Sequence, residues 1–406
     1  MTIVTQEETS QWLLPPADAA AVRDSMLGLP RLLQMPLTMF TGKPYTGQRR
    51  VQLRPTTHVV TAVLSIGSGL AVSAVGWTLG AWWLLLFLPG WAMVLHGARN
   101  LRMMMYHQAA HRNMWNKRRA DRILGRIIAG LLIVQDFDRY GEEHTIDHHA
   151  IHHMTVRDPT VQAFLIGLGM TPAMTREQMW RRLYSRLLSP AFHARFLWGR
   201  VRSYTHPATR LVLVGTAVSY GAGLTALALL GWLPFVLVAW FLPLTFFFQV
   251  SNVLRLCVKH TFPPPSMVDR RGKSYFAGLT NAIFIGEAAP GQEVTGVRRI
   301  GAWLRWTGRM LFVHAPSRYL VLTGDTVVHD FHHRFPMSRD WANYIFAREE
   351  NIAAGNPGWP VYKQVWGLRS GIDVVFASLA AADPGEFSAE RIGEVSDREL
   401  FTAFDD

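Results

Sequence analysis

Two stretches of this chain contain no charged side chain: Val59 to Leu95 and Leu211 to Leu254. A membrane-spanning helix needs roughly 20 consecutive apolar residues, so each stretch has room for two spans. A buried core hairpin in a soluble protein is the competing explanation, and the length of both runs argues against it. Gly76-Trp77-Thr78 divides the first stretch and Gly231-Trp232-Leu233-Pro234 the second. Trp77 and Trp232 suit a membrane–water interface. The sequence therefore predicts an all-α integral membrane protein with four transmembrane helices in two hairpins. The spans are expected near residues 58–76, 79–98, 209–230 and 233–252.

Charge orients these spans. Arg49, Arg50 and Arg54 precede the first stretch, and Arg99, Arg102, Lys117, Arg118, Arg119 and Arg122 follow it. Arg195, Arg200, Arg202 and Arg210 precede the second, with Arg255, Lys259, Arg270, Arg271 and Lys273 after it. The hairpin tips carry no charge. By the positive-inside rule both termini and the middle loop face the cytoplasm, which implies a multi-pass protein of the cell (inner) membrane. The formal net charge of +12 is spread along the flanks of apolar runs, where anionic headgroups attract it. No nucleic-acid motif accompanies it, and nucleic acid is not an expected partner. Cys257 is the only cysteine, so no intramolecular disulfide can form. The polar N-terminus MTIVTQEETSQ does not read as a cleavable signal peptide.

Between the runs lie shorter amphipathic pieces. Residues 123–134 are too short to span and suit an interfacial helix. The second span is expected to run on as helix from Trp91 through His107 to Trp115. Arg176 to Arg202 interleaves Trp180, Leu183, Leu187 and Leu188 with arginines, as a helix on a membrane surface would. An aromatic amphipathic segment extends from Trp303 to Tyr319. From Asp383 onward the tail is acidic, with eight Asp or Glu against two Arg. The expected organisation is a cytoplasmic N-terminal segment (1–55), a membrane domain (56–345) and a C-terminal cytoplasmic tail (346–406).

Ten of the sixteen histidines fall in three clusters: HQAAH (His107, His111), HTIDHHAIHH (His144, His148, His149, His152, His153) and HDFHH (His329, His332, His333). Residues three or four apart are neighbours on a helix, so these spacings place imidazoles on shared faces. Imidazole suits iron, copper, nickel and zinc, which makes a transition-metal site the first reading. By the charge argument all three clusters lie on the cytoplasmic side, in a helical cap. The middle cluster has two frames. His149, His152 and His153 share one helical face, whereas His144 diverges from His149 in the other frame; spacing favours the former. Glu142, Glu143, Asp147, Asp325 and Asp330 are candidates to orient imidazoles through hydrogen bonds, or are solvated charges. His58, His96, His193, His206 and His314 read as interface or core residues.

HQAAH, HAIHH and HDFHHRFP, in this order and with this placement around the spans, resemble the three histidine boxes of the membrane fatty acid desaturase and hydroxylase superfamily. The resemblance covers roughly residues 50 to 345. It implies a non-haem diiron centre with two iron ions held by His107, His111, His149, His152, His153, His329, His332 and His333. His260, just after the fourth span, stands where the family often has one more ligand, although Lys259 precedes it where many relatives have Glu. The boxes are built from histidine, whereas soluble diiron bundles use carboxylates with Glu-x-x-His pairs.

The implied activity is an O2-dependent desaturase introducing a double bond into an acyl chain carried as a lipid, thioester or carrier conjugate. The nearest alternative is a hydroxylase or oxygenase on the same scaffold, and a non-enzymatic metal-binding or transport protein is the third. Membrane lipid is an expected partner. No fused haem module with His-Pro-Gly-Gly is present, so a separate electron donor such as a ferredoxin is expected.

Overall fold

In a computed structural model of the chain, four helices are long and apolar enough to cross a bilayer: Pro55–Leu79, Ala81–Ala110, Arg210–Leu229 and Leu233–Lys259. They fall where the uncharged runs place them. The structure describes residues 13–145, 152–267 and 272–395. These separate into two compact units, taken in turn. One comprises Pro55–Gly169 and Arg182–Val253, the other Met170–Arg181, Leu254–Arg391 and the segment ending at Arg54.

In the first unit the opening two spans pack along their length. The chain reverses at Gly80, whose φ of 65° is one that side-chain-bearing residues rarely adopt. Small residues then let the helix backbones meet. A Cβ placed on Gly69 would lie 2.6 Å from the Gly90 carbonyl oxygen, and Ser65 Oγ donates to Met93 O at 2.8 Å. Trp91 Nε1 donates to Val238 O at 2.8 Å and so joins the second span to the fourth. The third span contrasts with these: none of its residues is buried.

The second span is not uniform. It begins as a 3-10 turn (Ala81–Leu86), continues as α-helix (Phe87–Asn100), widens to a π segment (Leu101–Tyr106) and closes with His107–Ala110. It stops there, short of the expected end at Trp115, because Arg112 and Asn116 both adopt left-handed backbone (φ 57° and 56°). Asp121 fixes the exit by accepting the Trp115 amide at 3.2 Å.

The segment read as interfacial is a helix, Arg118–Leu132. Its C-terminal carbonyls have no partners within the helix. The buried Arg200 supplies them, donating to Leu132 O and to Ile133 O (3.2 Å) and reaching Leu244 O (2.7 Å) on the fourth span. Asp138 pairs with Arg122 and Arg126 on the same helix. The basic stretch 176–202 is broken in two, Arg176–Leu187 and Pro190–Thr205, with Ser189 capping the second by accepting from Phe192 N.

The second unit holds the only sheet among the described residues, two short parallel strands pairing Ala282–Phe284 with Gln364–Trp366. This is the one departure from an all-α fold. Around it lie Arg31–Thr41, Gly296–Arg309, Tyr344–Ala353 and Leu368–Ala380. Its interior contains buried cations with defined partners. Arg23 donates to Gln34 and Thr38, Lys43 pairs with Glu349 at 2.8 Å, and Arg348 pairs with Asp330 at 2.8 Å.

Candidate metal centre

Each unit contains one tight group of three buried histidines, and both follow the same plan. An i, i+4 pair on one helix is joined by a histidine from a distant part of the chain.

The first group is His107, His111 and His144. The π segment ends at Tyr106, directly before His107, so the widened turn sets the angle at which the pair leaves the second span; π turns inside helices frequently mark functional sites. Helix Phe137–Glu143, capped by Asp136 accepting from Asp138 N and Arg139 N, delivers His144 to the pair. Ring centroids are 5.1 Å apart for His107–His111, 4.6 Å for His107–His144 and 5.1 Å for His111–His144. One ring nitrogen from each lies within 4.8 Å of the others. Tyr140, one turn before His144, stacks on its ring at 4.9 Å and 16°. The buried Arg102 guanidinium sits 4.5 Å from the Tyr140 ring centroid and 4.4 Å from that of Tyr106. Tyr106 is in turn held by its hydroxyl donating to Gln135 O at 2.6 Å.

The second group is His260, His329 and His333. His260 follows directly on the fourth span, and His329 and His333 share the six-residue helix His329–Arg334. Centroid separations are 5.1 Å (His260–His329), 4.6 Å (His260–His333) and 4.6 Å (His329–His333). The ligand-capable nitrogens again lie within 4.8 Å of one another. His332 projects from the same helix with its ring nearly parallel to that of His329, 5.7 Å away. Behind the helix, Asp330 accepts from Arg348 at 2.8, 3.0 and 3.1 Å. Arg334 lies 3.5 Å from the Tyr362 ring centroid and donates to Pro360 O at 2.6 Å.

Both groups suit a metal ion. A divalent metal needs neutral imidazole. Burial drives the His111 pKa down to about 4. His329 is held well below the ordinary imidazole range, first by burial and then by the charges of His260, Lys259, His332 and Arg255. Imidazole–metal bonds of about 2.1 Å put three nitrogens of one ion at most about 3.6 Å apart, so rings whose nitrogens lie within 4.8 Å close on a single ion with shifts on the order of an ångström.

The remaining expected ligands stand as follows. His149, like His148, lies outside the described residues. His152 and His153 occupy a turn rather than the helix expected of them, because Asp158 Oδ2 accepts the Met154 amide at 2.7 Å while Met154 takes a left-handed φ of 50°. His153 Nδ1 is 3.8 Å from the same Asp158 oxygen. Asp330, considered as an orienting carboxylate for imidazole, instead engages Arg348 and its neighbour's backbone amide. Glu143 accepts from Arg139 and Gln135. His144 was the residue that spacing alone placed outside the favoured frame. Its signal was Tyr140, one helical turn earlier and able to stack on it.

Four helices long and apolar enough to cross a membrane, with two buried histidine groups that could each hold a metal ion, fit the class of membrane proteins. The chain's relationship is more specific: the fatty acid desaturase family profile matches residues 81–315, more than half of the chain. The protein belongs to the fatty acid desaturase family, a group of membrane oxidoreductases. The match ends before the third histidine cluster. No curated protein and no solved structure matches the chain.

Proposed function

We propose that the protein is an O2-dependent diiron desaturase that introduces a double bond into an acyl chain. The observation carrying this reading is the pair of three-histidine groups, each buried and each built as an i, i+4 pair plus one remote histidine. His107, His111 and His144 hold metal in one unit, and His260, His329 and His333 hold it in the other. His332 adds a ligand from the third box, and His149, His152 and His153 add those of the second.

Iron with O2 supplies an oxidant strong enough to remove hydrogen from an unactivated methylene. Removing two hydrogens from the chain and reducing O2 to two waters takes two further electrons and two protons. A separate electron-transfer protein such as a ferredoxin provides the electrons. The polypeptide's part is to keep the imidazoles neutral, to fix their directions through the Tyr140 stack and the Arg348–Asp330 pair, and to exclude water. The four spans form two hairpins in the inner membrane, with both termini and the histidine clusters on the cytoplasmic side, as the flanking arginines and lysines support.

The test is expression in a host of defined lipid content, with double-bond mapping of its acyl chains by mass spectrometry. Loss of two hydrogens from one chain class is expected. Gain of one oxygen instead identifies the hydroxylase. Unchanged lipids, with two irons bound and a reductant supplied, overturn the enzymatic reading.

A further inference from the structure

Helix Gly296–Arg309 and its π continuation Met310–His314 have three distinct faces. Trp306 and Met310 point inward, packing with Met26 and Ala289 and against Leu29, Leu37, Phe40 and Trp303. Trp306 Nε1 also donates to Glu287 O at 3.0 Å. A second face is apolar and uncovered. Val297 is 84% exposed, Ile300 61% and Leu304 69%, at the i, i+3, i+7 spacing of a single stripe. Leu311 (58%) and Phe312 (80%) extend it into the π segment. The third face carries Arg298, Arg305 and Arg309, all exposed. Arg31–Thr41, which packs into the same cluster through Leu37 and Phe40, leaves Leu32 90% exposed.

A large side chain exposed alone is ordinary; a stripe of five with arginines alongside is not. Water gains nothing from such a surface. An interfacial helix has this arrangement, with its apolar face sunk among acyl chains and its cations at the level of the phosphates. The same unit begins at Leu254, inside the fourth helix long and apolar enough to cross a bilayer, Leu233–Lys259, so its chain starts at a membrane-crossing segment.

We propose that residues 296–314 form a membrane-surface anchor, seated in the interface of a bilayer containing anionic lipid. Val297, Ile300, Leu304, Leu311 and Phe312 enter the acyl region while Arg298 and Arg305 meet the headgroups. The anchor gives the unit that holds His260, His329 and His333 its own attachment to the bilayer.

The lone native cysteine, Cys257, is buried, so single labelling sites can be introduced without removing it. Leu304→Cys, Phe312→Cys and Arg305→Cys variants of the full chain would carry a nitroxide label in nanodiscs of phosphatidylcholine with phosphatidylglycerol. Oxygen should relax the labels at 304 and 312 more strongly than a water-soluble nickel chelate does, with the order reversed at 305. Val297→Cys repeats the test at an independent exposed site. In Arg298→Gln/Arg305→Gln, burial of the 312 label should lose its dependence on phosphatidylglycerol. Labels at 304 and 312 as accessible to nickel as the one at 305 overturn the proposal. So do labels shielded from both reagents, which would place a protein rather than lipid over the stripe. Neither result depends on enzymatic activity or bound iron.

Discussion

The two histidine groups share a plan but are held in place by different forces. Around His107, His111 and His144 the support is aromatic: Tyr140 lies flat on His144, and Arg102 faces both Tyr106 and Tyr140. Around His260, His329 and His333 the support is ionic: the short His329–Arg334 helix is fixed from behind by a fully buried Arg348–Asp330 pair. The difference follows from length. A pair at the end of a thirty-residue span inherits its position from that helix, and needs only a partner for the third ring. A six-residue helix cannot hold itself, since helices this short are not stable in isolation. Its position must come from tertiary bonds, and a bidentate guanidinium–carboxylate pair is the most directional of these.

The largest effects should come from the remote histidine of each group. His144→Ala and His260→Ala should each lower iron content and reduce turnover more than about 100-fold, beyond the 10–100-fold usual for residues that only orient a ligand. Iron analysis with single-turnover assays checks this. An inert His144→Ala would break the parallel between the groups. His153→Ala should have a smaller effect than either, and equality with His144→Ala would restore the middle cluster to equal rank.

Next comes the ionic support. Arg348→Met strands the Asp330 carboxylate in the interior, at a cost of about 3–5 kcal/mol, and should lower the melting temperature and loosen iron binding. Arg348→Met/Asp330→Leu should recover most of the stability, which thermal unfolding in detergent would show. The aromatic support is weaker: Tyr140→Leu should cost about 0.5–1.5 kcal/mol, with iron retained.

The smallest effect concerns pH. His111 is held neutral down to about 4, against 6.5 for a free imidazole. Above 6.5 neither the folded nor the unfolded form is protonated there, and stability is unaffected. Between 6.5 and 4 the unfolded chain takes up the proton first, so stability falls as the pH falls. Iron content should stay constant from pH 8 to pH 7 and the melting temperature should drop from pH 6 to pH 5, as gel filtration and thermal scans would show.

The spans were legible in the sequence because absence of charge over such lengths has few meanings. The histidine pairs were legible because i, i+4 is a local relation. His260 entered through the family resemblance, as the histidine just after the fourth span, and the structure groups it with His329 and His333. His144 was harder, since its meeting with His107 depends on how helix Phe137–Glu143 returns to the second span, which no spacing rule encodes. The expected helical face for His152 and His153 gave way to a turn because one carboxylate, Asp158, caps the next helix and holds Met154 as well. The end of the second span was misplaced for a similar reason: Arg112, the first left-handed residue past it, carries no propensity signal, although Asn116 is of a type that tolerates left-handed backbone. Arg348 had no sequence signal, because its value lies in a partner eighteen residues away across a turn.

The third span carries a different kind of information. Arg210–Leu229 has no buried residue, and at 1.5 Å per residue its twenty residues reach about 30 Å, the thickness of a bilayer's hydrocarbon. The hydroxyls of Thr216 and Tyr220 bond to Tyr204 and to Leu131 O, Val212, Leu213, Leu224 and Leu227 are half-buried, and its other side chains are exposed. Such a helix acts as a gauge: exchanging one aliphatic residue for another should be silent at its exposed positions, while lengthening or shortening it should register as a preference for thicker or thinner membranes.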